Sequence, residues 1–317
     1  MFKEFNTPIL FIIFNRLETT KAVFEEIKKL KPKQLFIAAD GYREQVPDEI
    51  LKCEAVKNYV LNNIDWVCEV KTLFRDKNLG CGKGPATAIT WFFENVAEGI
   101  ILEDDCLPDQ SFFYFCEEML SRYRDNDKVF MVSGDNFVPN NLNKVDDSYY
   151  FSNIPHIWGW ATWRRAWNKF NFNINDLPKF IDDKVIDKVW KDKKIKKYWL
   201  DLFYKASKED LDIWDYQWVY AIWKNNGLCI APSNNLVSNI GFNSGGTHTL
   251  VNFNKLQNIV KSELTFPIKH PQDLVINDYM DSFVNNNIFL KGYTIKAILK
   301  KTGLLNFVKN IYSKIKK

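Results

Sequence analysis

Long apolar runs are missing from this 317-residue chain. No stretch approaches the roughly 18 residues that a membrane-spanning helix needs. The segment Met1–Asn6 carries Glu4, and the apolar run behind it is only about six residues long, which is too short for a secretion signal. These absences lead us to expect a protein made and kept in the cytoplasm. An excess of one charge is missing too: 43 Lys and Arg stand against 39 Asp and Glu, a net charge of +4 that argues against a nucleic-acid partner. The six cysteines, Cys53, Cys68, Cys81, Cys106, Cys116 and Cys229, form no C-x-x-C pair and no framework-like spacing, which excludes a zinc ribbon and a disulfide scaffold. A phosphate-binding P-loop is absent as well. The glycine-rich stretch 80–84 has Lys77 where that motif requires its first glycine, and Gly84 where a Ser or Thr should follow Lys83.

What the chain has in plenty is aromatic side chains, 15% of its residues. With 46% hydrophobic and 26% charged residues it has the composition of a globular protein. Ile9 to Phe14 and Leu35 to Ala39 are short continuous apolar runs, as expected of strands covered on both faces. Thr19 to Leu30 shows helical spacing through Val23, Ile27 and Leu30. Ile50, Cys53, Lys57 and Val60 mark a second helix and Cys68, Val70, Thr72 and Phe74 a third strand. The connection from Arg75 to Pro85 reads as a glycine-rich loop whose N–H groups can approach an anion, with a helix from about Ala86 to Ala97 behind it. Strand and helix alternate three times, which predicts a parallel, right-handed βαβ sheet. Further helices are expected over 112–123 and 212–226, the latter closed by Gly227, and strands over 129–133 and 228–231. Residues 182–210 read as a solvated helical insertion.

The stretch that organises the chain is Gly99-Ile100-Ile101-Leu102-Glu103-Asp104-Asp105, an apolar strand that stops at three consecutive acids. Open α/β sheets place ligands at the C-terminal ends of their strands, and adjacent carboxylates call for a hard cation such as Mg²⁺ or Mn²⁺. Arg16 and Asp40, at the ends of the first two strands, should face the same crevice. Trp158, Trp160 and Trp163, packed within nine residues beside Gly159, are candidates for the wall of an acceptor site. His248, in the glycine-rich loop 239–248, is a further candidate ligand, whereas His156 and His270 read as incidental.

In order and spacing these motifs resemble the GT-A-fold glycosyltransferases, most nearly the N-acetylglucosaminyltransferase I type and its bacterial relatives, over about residues 5–250. The residues carrying the likeness are Asn15-Arg16, Asp40-Gly41, Leu102-Glu103-Asp104-Asp105, Val132-Ser133-Gly134, Gly159-Trp160 and Trp214-Asp215-Tyr216-Gln217-Trp218. The resemblance implies an α/β domain with a mainly parallel sheet flanked by helices. Residues 1–135 would form the nucleotide-sugar-binding half, 136–250 the acceptor and catalytic-base half, and 251–317 a basic helical extension. It also implies a nucleoside diphosphate sugar donor, UDP-sugar favoured, a divalent metal and an inverting transfer to a glycan or lipid-linked glycan. Asp40 would then contact the nucleotide base, Arg16 the diphosphate, Asp104 the ribose, Asp105 the metal and Glu103 the donor sugar. Lys83 is a further candidate for the diphosphate. The catalytic base would be Asp215, with Asp212 as the alternative, because the Trp-Asp-Asp-Trp pattern of the family has one residue fewer than this chain.

Two rivals differ in their requirements. A sugar-phosphate nucleotidyltransferase should carry a glycine-rich loop directly after its first strand, where this chain has Asn15-Arg16-Leu17-Glu18. A non-catalytic carbohydrate-binding protein would account for the tryptophans and leave the acids without a role. Two expectations concern later segments: a lid over 241–249, and a basic amphipathic tail over 291–317 that docks on an anionic membrane surface.

Overall fold

The computed structural model describes residues 4–243 and 259–291. Among them the first strand, β1 (Ile9–Ile13), leads through helix α1 (Leu17–Leu30) to β2 (Gln34–Ala39). Helix α2 (Glu49–Asn62), β3 (Glu69–Phe74), α3 (Gly80–Asn95) and β4 (Glu98–Glu103) complete the alternation. A tight turn at Asp104 and Asp105 then opens the short β5 (Cys106–Pro108), followed by α4 (Gln110–Arg122) and β6 (Val129–Ser133). Strands β7 (Tyr149–Ser152) and β8 (Trp160–Trp163) precede the helices α5 (Arg164–Trp167), α6 (Leu177–Asp182), α7 (Val185–Val189), α8 (Lys193–Ser207) and α9 (Asp215–Lys224). The chain then adds β9 (Leu228–Pro232), β10 (Val237–Asn239) and, beyond residue 258, α10 (Asp278–Val284).

Eight strands form one sheet in the order β3-β2-β1-β4-β8-β6-β9-β7. Six run parallel, and β8 and β7 run against them. The buried runs of β1, β2, β4 and β6 follow from cover on both faces. Helices α1, α2 and α4 pack on one face through Val23, Phe24, Ile27, Val56, Val60, Phe115 and Met119. The other face carries α3, α5, α8 and α9 and takes most of the aromatic residues, among them Trp167, Trp199, Trp218 and Trp223.

Several elements depart from the sequence reading. The second helix buries Val56 rather than Ile50, and β3 lies at the sheet edge, half exposed. Glycines 80, 82 and 84 are not a loop but the opening turns of α3, six residues earlier than Ala86. They are small because a Cβ on Gly82 would stand 2.8 Å from the backbone of Ile213, and one on Gly84 3.1 Å from Asp40. Helix α9 opens at Asp215, not Asp212, and its left-handed terminal residue is Asn226 (φ 54°). Gly227 does close the helix as expected, its N–H donating to the Ile222 carbonyl (2.8 Å), but it is glycine because a Cβ there would fall 2.5 Å from the Phe130 ring. The segment 182–210 is no solvated insertion: α8 buries Ile195, Tyr198, Trp199 and Phe203 in the larger core.

Candidate active site at the C-terminal edge of the sheet

Parallel strands bring their C-terminal ends to one edge, and α3, running back against β4, starts there. The edge therefore collects Arg16 after β1, Asp40 after β2, Glu103–Asp105 after β4 and Asp135 after β6. Arg16 lies between the acids. Its Nη2 pairs with Asp104 and its Nη1 reaches Asp105 at 2.9 Å, while the backbone N–H of Phe14 donates to Asp104 at 3.2 Å. The cation paired with Asp104 and Asp105 is thus, in the first place, a guanidinium.

The charge balance of this cluster stays acidic. Burial pushes the Glu103 carboxyl up to about 8, helped by Asp105 and Asp104 and opposed by Arg16. Asp215 adds to the same shift, so the carboxylate that opens α9 lies within electrostatic reach of the cluster. Burial also raises Asp104, to about 6, against the pull of Arg16. For Arg16 burial acts downward, but Asp104 and Asp105 outweigh it and its affinity for the proton rises. Hard oxygen donors with surplus negative charge suit Mg²⁺ or Mn²⁺. Among the described residues no three His, Cys, Asp or Glu side chains stand as a finished metal cage.

Asp212 and Asp40 are engaged differently. Asp212 accepts from the N–H groups of Cys81 (2.9 Å) and Gly82 (2.8 Å), so both of its oxygens cap α3. Asp40 takes the N–H groups of Leu79 (2.8 Å) and Gly80 (3.1 Å) on Oδ2. Its Oδ1 is buried and makes no hydrogen bond among the described residues, and burial raises its pKa. The amides expected to approach an anion do so, and the anions are the protein's own side chains.

Three expected residues lie elsewhere. Trp160 and Trp163 are 1% and 2% exposed. Trp160 stacks on Trp214 (5.6 Å, 22°) and Trp163 donates to the carbonyl of Leu120, so neither can form an acceptor wall. Lys83 points at Glu209 (3.3 Å) and the Phe172 ring, and is not paired with the acids. Trp158 alone of the three tryptophans is partly exposed, edge-on to Phe137 and Phe242. His248 falls outside the described residues, as do most of the expected lid (244–249) and tail (292–317). The start of the lid segment does touch the cluster. The N–H of Ile240 donates to the Asp105 carbonyl (2.9 Å), and a Cβ on Gly241 would collide with the Asp105 carboxylate.

Asp135 and His156 went unnoticed in the sequence as site residues. Asp135 is fully buried, its Oδ1 accepts from the backbone of Trp158 (3.0 Å), and its Oδ2 is 3.3 Å from His156 Nδ1. Burial raises its carboxyl, with His156 pulling the other way. The signal was present: an acid with one residue between it and the strand 129–133, much as Asp104 stands behind β4.

No family model matches the chain, and no curated protein does. Among solved structures it is similar to a fragment of Staphylococcus aureus TarS, residues 1–349 (TM-score 0.40, 9% identity), covering 73% of this chain and 59% of that one. It is similar to HddC from Yersinia pseudotuberculosis (TM-score 0.33, 11% identity, 55% of this chain, 86% of that one). A third likeness is to 4-diphosphocytidyl-2C-methyl-D-erythritol synthase from Anaerococcus prevotii (TM-score 0.35, 8% identity, 71% and 88%). The chain thus spans little more than half of the TarS fragment. No helix among the described residues is long and apolar enough to cross a membrane.

Proposed function

We propose that this protein is a glycosyltransferase that moves a sugar, with inversion, from a nucleoside diphosphate sugar to a glycan acceptor. The observation that carries this reading is the unequal charge at one edge of the sheet. Asp104 and Asp105 pair with the guanidinium of Arg16, Glu103 feels that cation only through its field, and Asp215 adds its own field from a separate helix. A diphosphate leaving group develops negative charge, and Arg16 can meet it by exchanging a carboxylate for a phosphate oxygen. Asp105, on the turn after β4, would hold a divalent cation together with the donor phosphates, and that cation would supply further stabilisation of the leaving group. The acceptor hydroxyl must lose its proton as it attacks the anomeric carbon. Asp215 takes that proton as general base. Asp212 is set aside for this role because its oxygens already hold α3. Asp40, Asp104 and Glu103 would contact nucleotide base, ribose and donor sugar, as the family resemblance implies.

The nucleotidyltransferase reading loses ground at the first strand. There Asn15 is spent on Glu49 (2.8 Å) and Arg16 on the acids, with no glycine to cradle a triphosphate. A lipid-linked acceptor and attachment to the inner face of the membrane remain part of the proposal. The test is thermal stabilisation by a panel of nucleotide sugars with and without Mn²⁺. A donor present at 100 times its Kd should add about 2.7 kcal/mol. Stabilisation by none of them would remove the reading, and stabilisation indifferent to EDTA would remove the metal.

A further inference from the structure

A hollow of about 400 Å³ lies on the exposed side of α3, the helix whose first turn binds Asp40 and Asp212. Lys83, Thr87 and Thr90 stand on one stripe of that helix and form the floor, and Ala86 leaves room between them. One wall is the segment 170–173, the other is Glu209. The floor is rigid. Thr87 accepts from Arg75 (2.7 Å) and donates to the Lys83 carbonyl (2.6 Å), and Thr90 accepts from Trp167 (3.0 Å). Phe170 is fixed by stacking on Trp167, with centroids 4.3 Å apart at 9°.

The groups facing the hollow have a particular chemistry. Lys83 and Glu209 neutralise each other at 3.3 Å, so the site has no net preference for an ion. Asn171 uses its Oδ1 for the Asn173 backbone (3.0 Å), and its amide N–H₂ has no partner among the described residues; nor has the Asn173 side chain. Phe172 offers a half-buried ring with Lys83 Nζ 5.6 Å from its centroid. Unengaged amides, a flat apolar ring and a balanced charge pair together match a neutral polyhydroxylated ligand, which presents hydroxyls at its rim and C–H groups on its face.

Position adds the second half of the argument. Helix α3 begins at the edge of the sheet where the acids collect, and the hollow lies along its exposed side from Lys83, in its first turn, to Thr90. Glu209, Asp212 and Asp215 belong to one short segment, in which Asp212 ties to the amides of Cys81 and Gly82. The wall of the hollow and the proposed base are thereby held in register on the same helix end. A second hollow of about 230 Å³, lined by Lys169, Asn175, Asp176, Tyr220 and Lys224 among others, shares Asn171 with the first, and its Asp176 is paired with Lys224 as Glu209 is with Lys83. We infer that the two form a carbohydrate groove that holds the non-reacting sugars of an extended, neutral acceptor glycan. This inference rests on the transferase reading for the word acceptor, but not for the sugar site itself.

The experiment uses the full chain and neutral trisaccharides (cellotriose, maltotriose and chitotriose), with binding followed by ligand-observed NMR. Wild type, Phe172→Ala, Phe172→Tyr and the surface variant Asn171→Ala are compared, with melting curves as a check of folding. In parallel, stabilisation by UDP with Mn²⁺ is measured on the same preparations. Binding of at least one trisaccharide is expected, weakened about tenfold in Phe172→Ala, weakened also in Asn171→Ala and retained in Phe172→Tyr, with UDP stabilisation unchanged. Trisaccharide binding that both alanine variants leave intact, or none in the wild type, overturns the groove. UDP binding without trisaccharide binding leaves the transferase reading standing alone. Trisaccharide binding lost in Phe172→Ala, with no stabilisation by UDP or any nucleotide sugar, does the reverse.

Discussion

Two sets of carboxylates occupy the same edge of the sheet and are neutralised by different means. Asp212 and Asp40 accept backbone N–H groups from the first turn of α3. Asp104 and Asp105 pair with the side-chain guanidinium of Arg16, and among the described residues Glu103 meets that cation only through its field, with Asp215 in range. Backbone amides cannot leave when a ligand arrives, since the helix would have to unwind. A guanidinium can turn from a carboxylate to a phosphate without any change of fold. The first set therefore holds structure, and the second can exchange partners during a reaction. Asp40 belongs to both, because its Oδ2 is fixed and its buried Oδ1 is left over.

The strongest way to break this comparison is Asp105→Ala. We expect sugar transfer to fall by about 10³-fold or more. The melting temperature should hold, since Arg16 keeps Asp104 and Glu103 loses a repelling neighbour. Full transfer activity in this variant would show the cluster to be merely structural. Next comes the pair Asp215→Asn and Asp212→Asn. The first should lower kcat by about 10²- to 10⁴-fold with donor binding little changed. The second should cost about 1 kcal/mol of stability, since an asparagine keeps one acceptor and loses the hydrogen bond to either Cys81 or Gly82, and leave kcat within a few fold. An exchange of these two outcomes would return the base to Asp212.

A smaller effect is expected from Asp281 on α10, neutralised by neither device alone. It accepts from Ser152 Oγ (2.5 Å) and the N–H of Asn153 (2.8 Å), yet burial prevails and lifts it from 3.8 to about 7. A carboxyl raised on folding binds its proton more tightly in the native state, so its contribution is complete below about pH 4. The contribution fades as the pH climbs through 7, by on the order of a few kcal/mol at most. Denaturant melts at pH 5 and pH 7.5 should show this slope in the wild type and a flatter one in Asp281→Asn.

Much of the edge was legible in the sequence because strand ends announce themselves. An apolar run followed at once by Arg16, Asp40 or Glu103 needs no tertiary information to be read. The aromatic segment 157–165 was misread for the complementary reason. Trp160 and Trp163 alternate across β8, one facing each core, and that strand has no local partner. Its distant neighbours β4 and β6 pair it into the sheet, and Trp214 and α4 cover its two faces. The glycines of α3 misled in a similar way. Their smallness serves contacts with Ile213 and Asp40, more than a hundred residues ahead and forty behind, which no local pattern carries.

Strand β8 has a consequence for how the molecule comes to be folded. It runs between β4 and β6, which touch it and not each other, and β6 gains its other neighbour only from β9. A chain emerging in order must therefore hold β4 with one open edge, and β6 with two, until residues 160–163 and then 228–232 arrive. Open edges recruit other strands, and pairings this distant in sequence form slowly. A fragment ending near residue 135 would contain nearly every proposed donor contact and would still expose three strand edges, for want of β8 and β9.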